Sequence, residues 1–282
     1  MSTPEIPPAI KQLFATFPLK TYDPVHTPVH PVKPVLYVYG PGWKSDAPSF
    51  DADCLTLQTY LLFCGYDFQV KNGNEPLMSP NGKLPFLALP NGDCLDKERI
   101  FELLQAENKL PPLDKVQESL NKAFSALVET KLRPALLYNI FCESQNFERL
   151  ASRYVAHCAS PIDRVALYQL KSAVVSELLA YRDVLAREEI YNEAEQALEA
   201  LSLKLSEGGD YFFGSKPTLL DAIVFAHLHT ILASHAPVSV LREAVQRRKN
   251  LVELAKRIYN AYYRESQGER QETQTKTEEK SS

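Results

Sequence analysis

Residues 34–108 carry strand and helix signals in an order that leaves few folds open. "PVLYVYG" (34–40) is β-branched and aromatic and stops at Gly40, the pattern of a buried strand. "CLTLQTYLLFCGY" (54–66) spaces Cys54, Leu57, Leu61 and Cys64 for one helix face, with Gly65 placed to close the helix. "DFQVKN" (67–72) reads as a second strand. "FLAL" (86–89) and "DCL" (93–95) flank Pro-Asn-Gly, the signature of a tight hairpin. "DKERIFELLQAEN" (96–108) is a second helix with Ile100, Leu103 and Leu104 as its apolar stripe. Strands joined through a helix run parallel and a hairpin pair runs antiparallel. The expected unit is therefore βαβ followed by ββα.

The pattern then changes. "KLPPLD" (109–114) is a proline hinge and a natural domain boundary. Beyond it every apolar run has helical spacing, so 115–263 is expected to be a helical bundle. Residues 115–141 hold one helix or two, with a kink at Pro134, and 147–158 a short one. A helix over 160–188 is expected to open with Ser160 as cap, Pro161 at the first position and Asp163 three residues after the cap. Further helices are expected over 192–209, 216–235 and 238–263. In the fifth of these, Thr218 and Asp221 have capping-box spacing. Residues 1–33 form a Pro-rich arm, either a leader without structure or a short helix whose Leu13, Phe14 and Phe17 dock on an apolar surface. Residues 264–282 contain no large apolar side chain and are expected to be a disordered polar tail.

Composition excludes several function classes. The net charge of −4 argues against a general nucleic-acid binder. The five cysteines show no metal or redox spacing and read as small buried hydrophobes in a reducing compartment. Cys54 lies near a helix start, which favours a thiolate, but Asp51 and Asp53 beside it oppose one, so a catalytic Cys54 is not expected. No basic leader followed by an apolar block opens the sequence, and no uncharged apolar run is long enough to span a bilayer. The six histidines lack metal spacing; His227 and His229, two apart, fall on different helix faces, and all six read as core or rim residues with satisfied nitrogens. Arg242, Arg247, Arg248, Lys249, Lys256 and Arg257 outnumber Glu243 and Glu253 in the last helical segment. That region is either an ordinary solvated face or a basic surface for lipid headgroups or an acidic partner, with Arg247, Arg248 and Lys249 its candidate contacts.

The βαβ–ββα unit resembles a thioredoxin-like domain, in which Pro85, just before the third strand, would be cis. An α+β thioredoxin-like domain followed by an all-helical bundle is the glutathione-transferase architecture, and "YFFGSKPTLLDAIVFAHL" (211–228) is similar to the buried helix of that superfamily's second domain. Within it, "LYVYGPGW", "CLTLQTYLLFCGYDFQV", "MSPNGKLPFL" and the "FFG-x-KPT-x-LDA" block resemble the metaxins, over about residues 34–263. A transferase would need a hydroxyl or thiol after strand one, for which Tyr39, Ser45 and Ser49 are the candidates. It would also need an acid followed by serine at the start of the second helix. Lys97 and Glu98 stand there instead, placing like charges against both ends of glutathione. Neither catalytic residues nor a cofactor or metal is therefore expected.

The resemblance implies a non-enzymatic, peripheral subunit on the cytosolic face of the mitochondrial outer membrane, without a membrane segment of its own. Its partners would be the central β-barrel subunit of the sorting and assembly machinery, a second metaxin-like subunit, and β-barrel precursors recognised through their β-signal. Two other readings stay open: a glutathione-dependent transferase, and a soluble scaffold built on the same fold.

Overall fold

A computed structural model describes residues 31–43, 48–107, 109, 113–180 and 182–264. The apolar positions Leu13, Phe14 and Phe17, the candidate Ser45 and the tail from 265 onward lie outside the described residues. The described residues group as one compact unit.

Strand β1 (Val35–Val38) leads to helix α1 (Ala52–Phe63), strand β2 (Gln69–Asn72), strands β3 (Phe86–Ala88) and β4 (Cys94–Leu95), and helix α2 (Lys97–Ala106). The sheet order is β2-β1-β3-β4. β1 and β2 are parallel, with Leu36 opposite Val70, and β3 is antiparallel to both β1 and β4. This is the βαβ–ββα layout. Gly40 ends β1 because a Cβ there would lie 1.9 Å from Asn72 Oδ1. Gly65 sits at φ 62 and closes α1, where the Tyr66 N–H reaches back to the Leu61 carbonyl at 3.0 Å. The Leu84–Pro85 bond is cis.

The remainder is helical. Helix α3 (Lys115–Leu127) runs through a π turn (Val128–Leu132) into α4 (Arg133–Phe141). Pro134 has no N–H for the carbonyl four residues back, and the turn before it widens. Then come α5 (Ser144–Leu150), a 3-10 turn (Ala151–Val155), α6 (Ile162–Leu179), α7 (Arg187–Gly208), α8 (Leu219–Ala233), α9 (Val240–Gln246), α10 (Lys249–Tyr259) and a closing π turn (Asn260–Arg264). Among the described residues no helix is long and apolar enough to cross a membrane.

Three expectations about these helices are corrected. Ser160 does not cap α6: Pro161 precedes its first residue, and no side chain caps that end. The helix expected over 160–188 stops at Leu179, and the residues after it begin a separate helix at Arg187. The segment 238–263 is two helices, because the chain leaves helical geometry at Arg248 (φ −107, ψ 85) before α10 starts.

Helix α1 is buried all round, not along one stripe: Ala52 and every residue from Cys54 to Leu61 are buried. It lies between the sheet and α8, itself almost wholly buried. A helix covered on every side needs no polar face. Its polar side chains are satisfied locally: Thr56 and Thr59 donate to the Ala52 and Leu55 carbonyls at 2.8 and 2.7 Å. Apolar packing also runs across the boundary expected at 109–114. Phe50, Ala52 and Leu55 join the helical core, and Ala222 of α8 joins the core under the sheet.

Candidate functional site

The stretch from the end of β1 to the start of α1 is where a transferase would activate its thiol. Here Ser49, Asp51 and Cys54 are already engaged. Ser49 Oγ donates to the Tyr39 carbonyl at 2.6 Å and accepts the Asp51 N–H at 3.2 Å. Asp51 caps α1: its carboxylate accepts the Cys54 N–H at 2.9 Å and the Tyr154 hydroxyl at 3.1 Å. Burial, and then the neighbouring Asp53, push the Asp51 carboxyl up to about 6. Cys54 Sγ accepts the Tyr39 N–H at 3.5 Å, and burial followed by the Asp51 charge holds its thiol well above the ordinary range. The thiol is therefore protonated and enclosed, the opposite of a reactive cysteine. Burial likewise raises the Tyr39 phenol.

Aromatic rings pack beside this turn. Tyr154 packs edge-on against Tyr39 at 5.0 Å and against Phe50 at 4.9 Å, with Phe141 at 5.5 Å from it. The loop after β1 folds back on this cluster through Trp43, whose ring is 6.1 Å from that of Phe50. Tyr154 and Phe141 come from the helical half, so this packing depends on the docking of the two halves.

At the other end of the expected pocket, Asp96 caps α2 by accepting the Arg99 N–H at 3.1 Å. Lys97 and Glu98 stand exposed on its first turn. No acid–serine pair occupies those positions to hold a γ-glutamyl group.

A second charged cluster lies where α1, the π turn and α6 meet. Arg133 bonds Asp53 at 3.2 Å, lies 3.7 Å from Glu129 and also bonds Glu177. Burial alone would lower the Arg133 pKa and raise that of Asp53; their pairing overrides both, raising Arg133 and lowering Asp53. Lys131 pairs with Glu193 at 2.9 Å, and Arg182 joins the same carboxylate. All of these side chains except Asp53 line a cavity of about 720 Å³.

The other expected positions fall as follows. In α8, Asp221 Oδ2 accepts both the Thr218 N–H and the Thr218 hydroxyl at 2.8 Å, while its Oδ1 accepts the Phe212 N–H at 3.1 Å. Burial pushes this carboxyl up to about 6. Arg248 does not display its charge. Its side chain is only 10% exposed and bonds Glu199, the Glu195 carbonyl and the Ala244 carbonyl. Arg247 pairs with Glu195 at 3.0 Å. Arg247 and Arg248 thus join α7 to the α9–α10 corner, and Lys249 follows them at the start of α10. The histidine expectation is corrected at one atom: His227 Nδ1 meets the Ile223 carbonyl at 2.8 Å, but its buried Nε2 has no partner among the described residues. Among them, too, no cluster of three acidic, histidine or cysteine side chains is arranged for a metal.

Asp51, Tyr154, Arg133 and Arg153 were not singled out by sequence. Asp51 had a local signal, as an N-cap residue at the start of "DADCLTL". Tyr154, Arg133 and Arg153, which reaches the Gly42 carbonyl, act across 80 or more residues of chain, and no local pattern announces that.

The layout and the position of the site define a protein of the glutathione-transferase fold. Residues 52–146 match the glutathione S-transferase N-terminal domain and residues 194–258 the C-terminal domain. The glutathione transferase GSTFuA3 from Phanerochaete chrysosporium superposes with a TM-score of 0.56 at 14% identity, covering 82% of this chain and 97% of that one. Within this class the chain belongs to the metaxin family. It is 30% identical to Metaxin-2 of Mus musculus over 220 residues, 76% of this chain and 83% of the relative. To Metaxin-1 of Mus musculus it is 28% identical over 241 residues, 81% and 74% of the two chains.

Proposed function

We propose that the chain is a non-enzymatic subunit of the sorting and assembly machinery of the mitochondrial outer membrane. It works peripherally on the cytosolic face, beside a second metaxin-like subunit and the central β-barrel subunit, and recognises β-barrel precursors by their β-signal. Membership in the metaxin family supports the setting. The observation that carries the non-enzymatic part is the state of the transferase site. Its serine is bonded to backbone, its thiol is buried and protonated, and Tyr39, Phe50, Tyr154 and Phe141 pack beside it. A sulfur cannot be activated by donors that are already engaged and enclosed.

Two measurements test the two parts separately. Isothermal titration with glutathione is expected to give no binding isotherm up to millimolar ligand; saturable binding there, with turnover of an electrophile, would restore the transferase reading. Mild-detergent pull-down from mitochondria is expected to recover an outer-membrane β-barrel protein with the chain. A chain found wholly outside the mitochondrial fraction would refute the assembly role and favour a soluble scaffold.

A further inference from the structure

A second cavity, of about 520 Å³, opens between the loop after β1 and the helices α5, α8 and α10. We propose that it is a binding site for a phosphate group carried on a partly apolar molecule. Its lining includes Arg149, Arg153, Trp43, His229, His235 and Tyr259, and no carboxylate.

The charge balance of the wall sets this cavity apart. Arg133 and Arg248, in the two clusters described above, are matched by carboxylates. Among the described residues Arg153 is not: there it donates to backbone carbonyls alone, Pro41 at 3.1 Å and Gly42 at 2.7 Å. Its guanidinium is held 4.6 Å above the Trp43 ring and 5.2 Å from that of Phe50. Burial lowers the Arg153 pKa, with no acid acting against it. Arg149, exposed on α5, has no hydrogen-bond or ion-pair partner among the described residues. The buried indole N–H of Trp43 also lacks an acceptor. Two guanidiniums without a carboxylate partner among the described residues line one cavity, beside an indole N–H that lacks an acceptor there. Such donors match an oxyanion of two charges, for which arginine forks are suited. His229 adds no charge: burial pushes it down to about 4, and it stacks on Tyr259 at 5.4 Å. Trp43, Leu150, Ala233 and Tyr259 offer an apolar wall to the rest of the ligand.

A phosphate of this kind comes either from a free phosphorylated small molecule or from a phospholipid headgroup. This proposal stands apart from the assembly reading and does not require it. Trp43 is the single tryptophan of the chain, so its fluorescence reports on this cavity alone. The full chain is titrated, at constant ionic strength, with inorganic phosphate and separately with a short-chain phosphatidic acid below its aggregation point. A saturable change in emission with either is expected. Tighter saturation by phosphatidic acid identifies a headgroup site, and tighter saturation by inorganic phosphate identifies a free-phosphate site. Arg149→Gln, at an exposed and unpaired position, is expected to weaken the response by about tenfold or more, and Arg149→Glu to abolish it. No saturable response from either ligand, an unchanged response in both variants, or a response to glutathione alone would each overturn the proposal.

Discussion

Asp51 is an acid in a place that disfavours its charge. It must accept two hydrogen bonds to hold the start of α1, yet it is buried with Asp53 close by. Its pKa is 3.8 ordinarily and about 6 in the folded chain. Between those values the native state binds more protons than the unfolded one, so this contribution to stability is largest at low pH and declines as pH rises through the window. Asp221 has the same sign and nearly the same window. Asp53 and Glu193, whose pKa values are lowered, act in the opposite direction, so the variant has to be compared with the parent. Asp51→Asn removes one titrating group and keeps an acceptor for the Cys54 N–H. The stability difference between variant and parent is therefore expected to shift in favour of the variant as pH rises from about 4 to about 6. Urea midpoints at several pH values would check it; a difference that stays flat would mean Asp51 titrates normally.

At the scale of elements, Arg248 is the most deeply engaged of the side chains that hold the corner between α9 and α10. Arg248 sits where the chain breaks helical geometry, and its guanidinium reaches α7 and the end of α9 together. Arg248→Ala removes the donor to the Glu199 carboxylate and to the Glu195 and Ala244 carbonyls, and a loss of about 2 kcal/mol is expected. Arg247, whose side chain is 59% exposed, makes one surface pair, and Arg247→Ala is expected to change stability by less than about 0.5 kcal/mol. Chemical denaturation of the two variants would separate these roles; equal losses would contradict the assignment.

The same corner marks where sequence reading stops. The succession of strands and helices, the hairpin and the Thr218–Asp221 pair were legible because each rests on neighbours within a few residues. The break inside 238–263 was not, because "QRRKNLVEL" keeps helical spacing straight through it. What ends α9 is the pull of Glu195 and Glu199, about fifty residues earlier in the chain. The aromatic cluster was hidden for the same reason. Tyr154 reads as one more helix residue until α5 and its following turn bring it against Tyr39 and Phe50. Nothing in the sequence marked the loop after β1 as the wall of a cavity, since Arg153 lies over a hundred residues away.

For the molecule as a whole, the described residues share their core across the two halves. Unfolding is therefore expected as one cooperative transition, with Trp43 fluorescence and helical circular dichroism tracing coincident curves. Two separated transitions would show that the sheet and the bundle are held independently. The closing π turn contributes to this unity. The Tyr263 hydroxyl meets Thr59 of α1 at 2.7 Å, and its ring stacks with Phe225 and Tyr259 at 5.8 and 6.0 Å.

Helix α1 also has a consequence for how the protein is made. Its cover on one side is α8, which the ribosome reaches more than 150 residues later. At ~5–20 residues per second, the nascent chain carries an uncovered apolar helix for on the order of ten seconds. Local pairing can close the sheet in that time, but nothing nearby in the chain replaces α8. A growing chain of this kind is a client for cytosolic chaperones until its second half emerges, and a ribosome stalled before residue 219 leaves that surface open to aggregation.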